Sequence, residues 1–281
     1  MSTSPRKVHP AFPLGIHEKR MIMQTDSVRD IGQGPVLVLL HALLLDGSLF
    51  DHQAKFLANN GYRVIVPDYG GHGKSARLAG EPTVGAMASQ VFDMLDAMRI
   101  DEPVVLGGLS MGGYVSFAAF EVFRERIKGL MLMDTRAVPD TPDEAANRRR
   151  AADLIRQAGS VGPLAATMLP RLLSKTTVRN QPHVWKSVAE VLDRTHVESA
   201  CDALMALATR PDRRPMLAGI NVPTLVLVGS DDIISTPQEM ANMAEAIPSA
   251  VFREIAGAGH LATIESPEAV NREILAFINS L

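Results

Sequence analysis

Apolar residues are distributed along the chain in two alternating kinds of run. Short unbroken ones, Val36-Leu37-Val38-Leu39-Leu40, Val64-Ile65-Val66, Val104-Val105-Leu106 and Leu225-Val226-Leu227-Val228, are too short for a helix and lack the polar alternation of a half-exposed strand. They predict strands buried on both faces of a parallel sheet. Further strands are expected over 127–133 and 251–255, and an edge strand at Met21-Ile22-Met23 with a short partner within 26–34. Between the strands the apolar period changes to that of a helix. Val84, Met87, Ala88, Val91, Leu95 and Met98 fall on one face of a helix expected over 83–99. Similar stripes predict helices over 49–60, 238–247 and 267–281. Strands and helices alternating at this spacing predict an α/β fold with a doubly wound, mostly parallel sheet, whose ligands bind outside the carboxyl ends of the strands.

The rhythm breaks between about 137 and 216. Thr141-Pro142-Asp143-Glu144 supplies an N-cap, a proline in the first turn and a capping-box glutamate, which open a helix running to 158. More helical patterns follow over 162–173, 182–194 and 197–209. The expected organisation is therefore a sheet-and-helix core, 1–136 and 216–281, carrying an all-helical cap, 137–215, that roofs the strand ends. Such a roof excludes water and supplies the walls that select a substrate. Met168, Leu169, Leu172, Trp185, Val188, Leu204 and Met205 are available to line it, although most of them are needed to pack the cap itself.

Composition narrows the picture further. A chain of 281 residues with 46% hydrophobic content can bury a large core. The balance of 28 basic against 31 acidic residues gives no reason to expect nucleic acid or an anionic membrane as partner. No apolar run reaches the roughly 18–20 residues of a membrane span, and the proline-broken residues 1–15 lack the apolar centre of a secretory signal. Cys201 has no second cysteine to pair with and is expected as core filler on a helix. A soluble cytoplasmic protein is the default expectation, and the oligomeric state stays open. Arg148-Arg149-Arg150 reads as a solvated helix face.

The candidate chemistry lies in Gly108-Leu109-Ser110-Met111-Gly112. This Gly-x-Ser-x-Gly follows a strand at once and is followed at once by the helical pattern Tyr114, Val115, Phe117, Ala118, Val122. A strand, sharp turn and helix in that order would expose the Ser110 hydroxyl in a strained conformation, with no room for a Cβ at Gly108 or Gly112. A free serine is a poor nucleophile, so it needs a histidine to take its proton and a carboxylate to orient that histidine. Both occur later, each after a strand: Asp231-Asp232 following 224–229, and His260 within Ala256-Gly257-Ala258-Gly259-His260. Asp232 is the candidate acid, with Asp231 beside it and Asp134, at the end of 127–133, as a spare.

With these motifs, and with Pro67-Asp68-Tyr69-Gly70-Gly71-His72-Gly73-Lys74-Ser75, the chain resembles the α/β-hydrolase family over nearly its whole length. The wording Gly-Leu-Ser-Met-Gly-Gly is closest to its 3-oxoadipate enol-lactonase-like and small-molecule esterase members. The resemblance implies a cofactor-free serine hydrolase, with no metal, that cleaves a small-molecule ester or lactone through an acyl-enzyme. Ser110 would be the nucleophile, His260 the base and Asp232 its orienting acid, with the N–H groups of Leu43 and Met111 as the oxyanion hole. Ala42 stands where the family carries glycine, which would strain the loop if that position needs a left-handed backbone. His41 is expected to brace the loop rather than act as a base, and Asp68 and His72 to fix their own turn rather than bind a metal. Arg136 is a candidate carboxylate binder. Two other readings use the same residues: a haloperoxidase or perhydrolase in which peroxide replaces water, and a ligand-binding receptor that does not turn over.

Overall fold

The unbroken apolar runs form the middle of a seven-stranded sheet in the computed structural model, which describes residues 27–281. Its strands are β1 (Val28–Ile31), β2 (Val36–Leu40), β3 (Arg63–Pro67), β4 (Val104–Leu109), β5 (Ile127–Met133), β6 (Thr224–Gly229) and β7 (Ala250–Ile255). The order across the sheet is β1-β3-β2-β4-β5-β6-β7, and only the β1–β3 pair is antiparallel. Every residue of β2, β4 and β6 is buried, as unbroken apolar sequence requires, whereas the edge strands β1 and β7 carry exposed positions. The expected α/β class and doubly wound sheet are thus borne out. Met21-Ile22-Met23 lies outside the described residues; the short strand expected after it is β1.

The chain passes from β2 to β3 on one side and then returns to lay β4 on the other side of β2, which makes the β2/β4 boundary the topological switch point. The register brings the strand ends to one rim. Leu40 pairs with Gly108, Leu109 with Met133, Met133 with Leu227 and Gly229 with Ile255. The loops after β2, β4, β5, β6 and β7 therefore emerge side by side. Three helices connect the first five strands: α1 (Asp51–Asn59), entered through a 3-10 turn at Gly47–Phe50, α2 (Val84–Ala97), capped by Thr83, and α3 (Met111–Val122).

Between β5 and β6 run α4 (Pro142–Ala158), α5 (Gly162–Leu172), α6 (Lys175–Asn180), α7 (Pro182–Asp193), α8 (Val197–Ala208) and α9 (Arg214–Leu217). The capping box of α4 forms as its sequence demands: Thr141 Oγ1 accepts from Glu144 N–H at 3.2 Å and Glu144 Oε2 from Thr141 N–H at 2.8 Å. Ile155, Leu169, Leu172, Val188, Leu192 and Leu204 are buried, and Cys201, also buried, has its thiol 3.5 Å from the Ala152 carbonyl. Both ends of this segment are clasped together. Arg213 N–H donates to Ala137 O at 2.8 Å, and Arg210 donates to Val138 O, pairs with Asp140 and lies 4.4 Å over the Tyr114 ring. Arg148 joins the same carboxylate, while Arg149 and Arg150 face solvent.

The helical segment lies over the strand ends. Thr195 Oγ1 donates to Leu44 O at 2.8 Å, and Arg194 pairs with Asp46 at 2.7 Å. The chain closes with α10 (Pro237–Glu245), α11 (Ala262–Glu265) and α12 (Pro267–Ile278), the last packed against α1. Among the described residues no helix is long and apolar enough to cross a membrane.

Candidate active site

Ser110 sits between β4 and α3 with φ 54° and ψ −110°, a left-handed conformation that costs a non-glycine residue of order 1–3 kcal/mol. Its N–H donates to Met133 O at 2.9 Å, and its carbonyl accepts from Thr135 Oγ1 at 2.8 Å, so the neighbouring strand end holds the turn on both sides. The two motif glycines are required sterically. A Cβ at Gly108 would overlap the Gly112 carbonyl of α3, and one at Gly112 would overlap the Leu40 carbonyl of β2. The helix start can then press into the sheet, leaving Ser110 partly accessible on the rim.

At the switch point the loop after β2 faces this turn. Leu45 N–H donates to Ala42 O at 3.2 Å, which closes a β-turn whose third residue, Leu44, has φ 60°. The left-handed position expected at Ala42 lies two residues further on: Leu44 adopts it, and Ala42 does not. Neither Leu43 N–H nor Met111 N–H donates to an acceptor among the described residues.

His41 is fully buried beneath the loop. Its Nδ1 lies 3.0 Å from Ala42 O, its Nε2 accepts from Tyr69 N–H at 3.4 Å, and its ring stacks on Tyr69 at 4.2 Å. Tyr69 in turn donates its hydroxyl to His41 O at 2.6 Å. Burial lowers the His41 pKa to about 4, so it is a neutral brace, as expected from the sequence. His72, tilted against His41, is likewise lowered to about 3 by burial and by its neighbour. Asp68 accepts from Gly47 N–H at 2.8 Å and from Lys74 N–H at 2.9 Å, which fixes the turn as the sequence suggested. Tyr69 has no counterpart in the sequence reading, because a tyrosine in a polar turn gives no sign of a partner 28 residues away.

On the other flank, Asp232 and His260 are brought together. Nδ1 of His260 donates to Asp232 Oδ2 at 2.8 Å, and Oδ1 accepts from the N–H groups of Ile234 and Ser235 at 2.7 and 3.1 Å. Both residues are buried, whereas Asp231 is exposed and, among the described residues, its carboxylate accepts only from the Ser230 hydroxyl. The loop carrying His260 is fastened by buried Glu265. Its Oε1 accepts from Gly259 N–H at 2.9 Å and Leu261 N–H at 3.3 Å, and its Oε2 accepts from Ser174 N–H at 2.7 Å. Nothing local in the chain hinted at that role beyond the residue's place in a family motif. Asp134 lies beside Ser110 at the end of β5, fully buried with φ 43°, and accepts from Gly229 N–H at 2.9 Å. Arg136 does not face an open carboxylate site: its guanidinium is engaged by Glu144 at 3.4 Å and Glu239 at 4.0 Å.

The sequence profile of the alpha/beta hydrolase fold matches residues 35–267, a span that contains every one of these groups. The chain belongs to the α/β-hydrolase family. Among its relatives is 3-oxoadipate enol-lactonase 2 of Acinetobacter baylyi, 27% identical over 242 residues that cover 86% of this chain and 88% of that one. A Mycobacterium tuberculosis protein that carries a non-heme bromoperoxidase name is 28% identical over 235 residues, covering 82% and 88%. A solved structure, a thermophilic esterase from Thermogutta terrifontis with malate bound, superposes with a TM-score of 0.88 at 40% identity, covering 90% of this chain and 92% of that one. The α/β-hydrolase thus has both esterase and lactonase relatives, which supports hydrolase activity.

Proposed function

We infer that this α/β-hydrolase is a serine hydrolase that cleaves a small carboxylic ester or lactone through an acyl-enzyme intermediate. The observation that carries the reading is the buried Asp232–His260 hydrogen bond on the same rim as the strained Ser110 turn. Because the Asp232 carboxylate accepts the Nδ1 proton, the ring presents Nε2 as a bare acceptor, the tautomer needed to take the Ser110 hydroxyl proton. Ser110 attacks the substrate carbonyl, and His260 then passes the proton to the departing oxygen. The N–H groups of Leu43 and Met111, which have no other acceptor among the described residues, receive the oxyanion. Met111 also opens α3, so the positive end of that helix faces the developing charge. Water, deprotonated by His260, releases the acid.

The helical segment 137–215 serves as the cap in this reading. A perhydrolase would use the same groups, and the bromoperoxidase-named relative keeps that reading in view.

The test is steady-state turnover of a panel of short-chain activated esters and small lactones by wild type and Ser110→Ala, with a parallel arm containing peroxide and halide. Sustained hydrolysis that falls by about 10⁵-fold or more in the mutant is expected. Turnover that survives the mutation, or single-turnover binding without release, overturns the proposal; activity confined to the peroxide arm would favour the perhydrolase.

A further inference from the structure

Asp134 is a buried acid that the Ser110–His260–Asp232 mechanism leaves without a task. Its side chain and that of Asp232 are framed by the same two residues. Gly229 gives its N–H to Asp134 Oδ1 at 2.9 Å and its carbonyl to Asp232 N–H at 3.1 Å. Ser235 gives its N–H to Asp232 Oδ1 at 3.1 Å and its hydroxyl to the Asp134 carbonyl at 3.2 Å. The two carboxyl groups are thereby set side by side, within reach of one hydrogen bond if either carries a proton.

Their partners are unequal. Asp232 accepts three hydrogen bonds, from Ile234, Ser235 and His260, and an ionised carboxylate has about four acceptor sites. Asp134 accepts one, and its Oδ2 is buried with no donor among the described residues. Two bare carboxylates at this separation repel each other, and the one with fewer donors is the one that takes a proton. Burial, then the charge of Asp232 and more distantly that of Glu265, push the Asp134 pKa well above the ordinary carboxylate range. The remaining ionisable group bound to the pair is His260, which faces Asp232.

We propose that Asp134 is a neutral carboxylic acid whose Oδ2–H fills the fourth acceptor site of Asp232, making it a positioning residue for the Asp232–His260 pair. This rests on the reading of that pair as the base of the Ser110 nucleophile. The proton accounts at once for the orphaned oxygen and for two acids sharing a buried corner. It also sets Asp134 aside as the spare orienting acid, because His260 Nδ1 is already bonded to Asp232 and the two Asp134 oxygens are taken up by Gly229 and Asp232.

Carboxyl ¹³C NMR of the aspartate-labelled full chain, with the Asp134 signal assigned by its loss in Asp134→Asn, reads the protonation state without any substrate. A protonated shift that does not move between about pH 5 and 8 is expected; a signal that titrates in that window, or is ionised throughout, overturns the proposal. Kinetics supply the second readout. Asp134→Ala is expected to lower kcat by about 10–100-fold with little change in KM, and Asp134→Asn, which can still donate to Asp232, to restore most of it. An Asn variant as damaged as the Ala variant would mean that a negative charge is needed there. If the ester panel shows no turnover, the function proposal fails while the NMR result still decides the state of Asp134.

Discussion

Ser174 and Glu265 meet across the rim although 91 residues separate them, the serine N–H donating to Glu265 Oε2 at 2.7 Å. The other oxygen of the same carboxylate holds the backbone on both sides of His260. One buried charge thus ties the candidate base to the helical segment above it. Glu265→Gln replaces one acceptor with an amide that faces an N–H donor. The expected cost is about 2–3 kcal/mol of stability, together with a fall in kcat larger than any rise in KM. Urea unfolding and steady-state kinetics check both; unchanged stability would show that the three bonds are dispensable.

Asp231 and Asp232 are adjacent in sequence but not in chemistry, since one faces solvent and the other is buried on His260. Asp232→Asn should lower kcat by about 10⁴-fold, because an amide donor stabilises the wrong imidazole tautomer. Asp231→Asn should stay within about threefold of wild type. The reverse ranking in ester hydrolysis would reassign the acid.

Much of this was legible in the chain itself. Runs such as Val36–Leu40 could hardly be anything but inner strands, and Thr141 with Glu144 announced the start of α4, because those signals are local. The short helices α6 and α9 escaped notice because neither Lys-Thr-Thr-Val-Arg-Asn nor Arg-Pro-Met-Leu is long enough to show an apolar period. The work of Glu265, Tyr69 and Asp134 depends on partners 28 to 95 residues away, which no local pattern can disclose. Arg136 misled for the opposite reason: its place at a strand end suggested a ligand, and its actual partners come from α4 and α10.

His41 and His72 make the fold sensitive to acid. Their pKa values are about 4 and 3 in the folded protein against an ordinary 6.5. Above about pH 6.5 neither state binds these protons, so stability does not depend on them. As pH falls below that value the unfolded chain takes up two protons that the native state refuses, and stability is lost progressively down to about pH 3–4. His41 alone accounts for a loss of about 3 kcal/mol over this range. Urea midpoints at about pH 7 and pH 5 should differ accordingly; identical midpoints would mean that the buried rings are not held neutral.

Ala42→Gly offers a test of where the strain in the β2 loop lies. Leu44, not Ala42, holds the left-handed position, so restoring the family's glycine relieves nothing. It frees the unfolded chain instead, and should destabilise the protein by about 0.5–1 kcal/mol while leaving kcat within a few-fold. A clear gain in kcat would show that the alanine methyl distorts the oxyanion loop.

The clasp at Ala137, Asp140, Arg210 and Arg213 has a consequence for how such a chain can change. The helices between its two ends leave and rejoin the sheet side by side, so a change in their length need not separate β5 from β6. A graft joined there would carry new walls to an old rim, provided that it brings its own replacement for Ser174 to meet Glu265. In the proposed reading, an exchange at that clasp would replace the walls over Ser110 and leave the sheet as it is.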